Sequence, residues 1–103
     1  MDNNIGLSPQ GSVRIHIWVT GRVQGVGFRA FVQQTGALLG LAGWVRNVGY
    51  DQVETVAEGP RLALEQFAEV VKAGPRGARA EECRMDWETA GGEFDRFNVR
   101  SSR

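Results

Sequence analysis

Gly21-Arg22-Val23-Gln24-Gly25-Val26-Gly27-Phe28-Arg29 holds the residues most suited to chemistry in this chain. An apolar-polar alternation precedes it and a helical apolar period follows, so the run reads as a strand, a turn and the start of a helix. Backbone N–H groups at a helix start have no partner within the helix and point outward, where a phosphate can accept from several at once. The glycines let the turn from Gln24 to Phe28 curl around such an ion. Arg29, in the first helical turn, adds a permanent charge and a planar fork that can grip two phosphate oxygens.

A second stretch, Gly43-Trp44-Val45-Arg46-Asn47, reads as a short strand ending in an uncharged amide. Together the two stretches resemble the two signatures of the acylphosphatase family. The pattern Gly-x-Val-Gln-Gly-Val-x-Phe-Arg is met from Gly21 to Arg29. Its companion is met at Gly43, Trp44, Val45, Asn47, Val53 and Gly59. One position departs: Asp51 stands where the family usually has a turn glycine, with Gly49-Tyr50 ahead of it in place of Pro-Asp. The resemblance covers roughly residues 13 to 100.

It implies an enzyme that hydrolyses acyl phosphates to a carboxylate and inorganic phosphate, with Arg29 and Asn47 as catalytic residues. The chemistry is consistent with so few parts. Cleavage at phosphorus expels a carboxylate whose conjugate acid has a pKa of about 4, so the leaving group departs unprotonated. Phosphoryl transfer then depends on positioning and on stabilising charge at the equatorial oxygens. By the resemblance, the phosphate is bound by Arg29 and by the turn of Gln24, Gly25, Val26, Gly27 and Phe28, which supplies N–H donors, and Asn47, able to donate and accept, orients the attacking water. No metal or cofactor is needed. The sequence has no cluster of metal-ligand spacing and no Ser-His-Asp set served by its one histidine, His16.

Alternatives remain in view. The same fold opens carbamoyltransferase-type maturation proteins, where it handles carbamoyl phosphate, but the zinc-finger cysteines expected next are missing before Arg103. A non-catalytic phosphate-binding module is the other reading. Gly25 to Ala30 also matches the dinucleotide pattern G-x-G-x-x-A, with Asp51 near the place of a ribose contact. The short link from Asn47 to Gln52 argues against it, because it makes antiparallel neighbours where a nucleotide fold needs parallel ones. An RNA-recognition surface would want stacking aromatics on both central strands, and Gln52 to Glu58 has none.

The 103 residues make one domain, able to bury about two-thirds of its unfolded surface. The formal net charge is zero, which disfavours nucleic-acid and membrane partners and favours a discrete small-molecule site. Cys83 is the only cysteine, so no internal disulfide can form. Without a signal-like or long apolar run, the expected location is cytoplasmic. The resemblance implies a monomer.

These residues must be positioned by an α+β fold. Residues 1–11 read as a disordered leader, and 12–103 as the acylphosphatase-like domain. Val13 to Thr20 alternates as a half-buried strand. Phe28, Phe31, Val32, Thr35 and Leu39 form a helical stripe stopped by Gly40. At Gly36 the resemblance, with a small residue usual there, implies close packing against the sheet. Ala42 to Val48 and Gln52 to Glu58 form a hairpin, and Asp51 should adapt its turn without breaking the fold. Pro60 opens a second helix with a stripe of Ala63, Leu64, Phe67, Val70 and Val71, ended by Gly74-Pro75. Ala80 to Thr89 and Phe94 to Arg100 are the last strands. The order predicts a ferredoxin-like split βαβ sandwich (βαββαβ), an antiparallel sheet with both helices on one face. Trp44 and Phe28 read as packing residues, His16 as an exposed strand residue, Cys83 as a small packing residue or a sheet-edge side chain, and Arg22 and Arg46 as solvated charges flanking the site. The sheet face bearing Trp18 leaves room for a partner.

Overall fold

Alternation in the first strand becomes burial: in β1 (Ser12–Arg22), Ile15, Ile17 and Val19 are fully buried while the intervening side chains face the other way. The computed structural model describes residues 12–103, and the expected leader lies outside the described residues. After β1 come α1 (Phe28–Leu38), β2 (Ala42–Val48), β3 (Gln52–Pro60), α2 (Arg61–Ala73), β4 (Arg79–Thr89) and β5 (Phe97–Val99). They form one five-stranded sheet of order β4-β1-β3-β2-β5. Both helices bury their apolar sides in a single core, where Phe28, Val32, Leu64, Phe67 and Val71 meet Ile15, Ile17, Val19, Val45 and Val53.

β1 pairs antiparallel with β3 and β4, and β2 with β3, as the hairpin requires. The edge strand departs from the expected all-antiparallel sheet: β5 runs parallel to β2. The segment between β4 and β5 crosses at the end of the sheet where β2 begins, so β5 must set out in the same direction as β2. It is also shorter than Phe94–Arg100. Beyond it the chain stays beside β2, with Arg100 N–H donating to the Val45 carbonyl at 2.8 Å and Arg103 N–H to the Asn47 carbonyl at 2.8 Å.

Two details of the helices differ from expectation. Pro60 closes β3 and caps α2, which begins at Arg61. Val70 is 37% exposed, and Ala68 is buried instead, completing a Leu64, Phe67, Ala68, Val71 stripe with the i, i+3, i+4, i+7 spacing of one helix face. The close packing expected at Gly36 is present: a side chain there would begin 2.6 Å from Cε2 of Phe97 on β5.

The helix-free sheet face is covered by its own side chains. His16 is not simply exposed: it stacks on Trp18 with centroids 3.7 Å apart, and its Nε2 lies 2.6 Å from Glu54 Oε2. An ionised carboxylate only accepts, so Nε2 carries the hydrogen. Arg46 does not flank the cleft as a free charge either. It reaches across this face to Glu54 at 2.8 Å and lies 4.9 Å from the Trp44 ring centroid. Arg14 donates to Glu58 at 2.7 Å, and Glu58 also accepts from the N–H groups of Gly91 and Gly92.

Candidate active site

Between β1 and α1 the chain makes its turn at Gly27, which caps the helix in the left-handed region (φ 77°, ψ 22°), a conformation glycine adopts without strain. No side chain caps this end, and no acidic residue stands in the first turn, where the helix dipole favours one. The N–H groups of Phe28, Arg29 and Ala30 lack helical partners four residues back. This helix start therefore keeps N–H donors and positive dipole potential without a side-chain partner.

A cleft of about 340 Å³ opens there, lined by Val23, Gln24, Gly25, Gly27, Phe28, Arg29, Ala30, Asn47 and Val99. Both residues singled out as catalytic, Arg29 and Asn47, therefore face one space. Of the expected phosphate loop, Gln24, Gly25, Gly27, Phe28 and Arg29 line it, while Val26 packs against the core edge. Asn47 sits on β2 opposite Val53, and its carbonyl is held by Arg103. Phe28 and Trp44 are buried as expected, Phe28 beneath the cleft and Trp44 in the opposite sheet face. Cys83 packs against the core edge, and burial pushes its thiol pKa up, leaving it a poor nucleophile.

Three contributions were not legible in the sequence. The Gln24 side chain faces the protein: its Nε2 donates to the Gly49 carbonyl at 3.0 Å and the Gln52 carbonyl at 3.1 Å. It thereby ties the loop ahead of α1 to the turn that follows Asn47. Val99 lines the cleft from β5, and residues 100–103 brace β2. All three rest on contacts distant in sequence, which no local pattern marks. In the turn itself the left-handed residue is Gly49 (φ 60°), and Asp51 offers its carbonyl to Gly21 N–H at 2.8 Å. The departure at position 51 is thus accommodated by a glycine placed two residues earlier.

The fold and the cleft define the class: a ferredoxin-like α+β domain with a cleft and a glycine-capped turn at the head of its first helix. A family model for acylphosphatase matches residues 15–99. An acylphosphatase of Salinibacter ruber is 47% identical over 87 residues, which span 84% of this chain and 92% of the relative. The crystal structure of acylphosphatase from Bacillus subtilis superposes with a TM-score of 0.82 at 40% identity, over 85% of this chain and 98% of that one. Full-length HypF contains a similar unit, with a TM-score of 0.80 and 27% identity over 88% of this chain but 12% of HypF. The chain belongs to the acylphosphatase family.

Proposed function

We propose that the cleft hydrolyses acyl phosphates, with the phosphoryl group held by Arg29 and by backbone N–H groups of residues 24–28. Asn47 orients a water for in-line attack on phosphorus, opposite the departing carboxylate. The observation that carries this reading is that Arg29 and Asn47, from separate elements, line one cleft with the glycine turn. Arg29 and the amides stabilise charge on the equatorial oxygens, and positioning supplies much of the remainder. The carboxylate leaves as the anion, so no general acid is assigned.

The working unit in this reading is residues 12–103, acting as a monomer in the cytoplasm on a small molecule, with neither nucleic acid nor membrane as partner. No helix among the described residues is long and apolar enough to cross a membrane. The test pairs two measurements: hydrolysis of a chromophoric acyl phosphate, and binding of inorganic phosphate. Turnover with phosphate as a competitive inhibitor is expected. Phosphate binding without turnover would instead make this a binding module.

A further inference from the structure

We propose that Arg22 and Arg79 form a second anion position beside the phosphate cleft, which receives a carboxylate carried on the acyl group of the substrate. This rests on the acyl phosphate reading above and adds a preference among acyl groups.

The two arginines are direct cross-strand partners at the end of β1 and the start of β4. Like charges placed opposite one another on neighbouring strands repel, so the pair is unfavourable unless an anion sits between them. The backbone enforces their proximity. The β1–β4 register shifts at Thr20/Gly21, and a side chain on Gly21 would run into the Arg79 carbonyl and come within 2.9 Å of the Glu81 nitrogen. Arg22 and Arg79 line a cavity of about 370 Å³ together with Gly77 and Ala78. Arg76 stands in the same short loop.

Among the described residues, neither guanidinium has a carboxylate partner, a state they share with Arg29, Arg76, Arg100 and Arg103. Arg14, Arg46, Arg61 and Arg84 each pair with a carboxylate. Arg79 stays unpaired although Glu81 and Glu82 follow it in the chain.

This cavity adjoins the phosphate cleft. Arg22 is followed directly by Val23 and Gln24, which line the cleft, and Cγ1 of Val26 lies 4.0 Å from where a side chain on Gly77 would begin. The turn from Arg22 to Val26 is thus a wall shared by two spaces. A short dicarboxylic acyl phosphate can place its phosphoryl group in one and its free carboxylate against the guanidinium forks of the other.

The test compares kcat/KM for succinyl phosphate, which carries a distal carboxylate, with that for benzoyl phosphate, which does not. The expected wild-type ratio favours succinyl phosphate and shrinks with added salt. Arg22→Gln and Arg79→Gln each lower the ratio by about two- to fivefold, the range for exposed ion pairs, while benzoyl phosphate turnover persists and reports a folded enzyme. Arg61→Gln removes the same charge at the opposite end of β3 and leaves the ratio unchanged. A ratio unmoved by Arg22→Gln and Arg79→Gln, or lowered equally by Arg61→Gln, overturns the second anion position alone. Failure of the wild type to hydrolyse either substrate overturns the acyl phosphate reading itself, and this proposal with it.

Discussion

Gln24 is bonded to the backbone of Gly49: its side-chain Nε2 donates to that carbonyl at 3.0 Å, so the loop ahead of α1 and the turn that follows Asn47 share one clamp. In the proposed mechanism, a residue of the loop therefore sets how far the Asn47 amide stands from the phosphoryl group. Gln24→Ala should lower kcat by about ten- to a hundredfold, since a misplacement of about 1 Å can cost as much. Gln24→Glu should be worse, because its carboxylate would face carbonyl oxygens. Steady-state kinetics with inorganic phosphate as inhibitor checks this: the kcat loss should exceed any change in phosphate affinity.

Arg29→Ala and Asn47→Ala should separate binding from attack. Each is expected to cost about 2.7–4 kcal/mol of transition-state stabilisation, the range for one lost oxyanion donor. Only Arg29→Ala should also weaken inhibition by inorganic phosphate, whereas Asn47→Ala should leave it near the wild-type value. Arg29→Lys keeps the charge but not the fork, and should recover only part of the loss.

Gly36→Ala should destabilise the protein although alanine is the better helix former. The helix gains about 1 kcal/mol. The new methyl would press on the ring of Phe97, which is only 5% exposed and has little room to yield, and overpacking of this kind costs about 1–3 kcal/mol. Urea unfolding should show a lower midpoint with an unchanged slope.

That glycine illustrates what the sequence discloses. The resemblance, through the small residue usual at this position, signalled close contact, but Phe97 as the partner depends on β5 crossing to the far edge of the sheet, which no local pattern encodes. Arg29 and Asn47 were legible because they fall in two ordered motifs, and the order of elements followed from periodicity. The parallel pairing of β5, the inward turn of Gln24 and the pairing of His16 with Glu54 all join residues far apart in the chain. Val70 was misread because an apolar residue one step off the helical stripe looks, in sequence, like part of it.

Acid should undo the helix-free sheet face first. Burial pushes the Glu54 carboxyl up, but hydrogen bonds and charge from His16 and Arg46 outweigh it and leave the pKa below the ordinary value. Glu58 behaves likewise: burial raises it, and the N–H groups of Gly91 and Gly92 with Arg14 bring it down further. A carboxyl whose folded pKa is depressed adds stability above its unfolded pKa and loses it as the pH falls through the folded one. Chemical unfolding from pH 7 down to about pH 3 should therefore show falling stability below the usual glutamate range of about 4.3. Glu54→Gln and Glu58→Gln should each flatten that decline while lowering stability at neutral pH.

The same face decides what light can report about this protein. Trp18 and Trp44 are packed among His16, Arg46, Arg84 and Arg100 on the side away from the helices, Trp87 lies beneath Arg61, and none of the three borders the cleft. Emission from Trp18 and Trp44 will thus follow protonation and loosening of that polar mosaic while staying nearly mute to an occupant of the cleft. An optical titration of ligand needs an indole placed at the cleft rim, and Val99→Trp is the natural position for it.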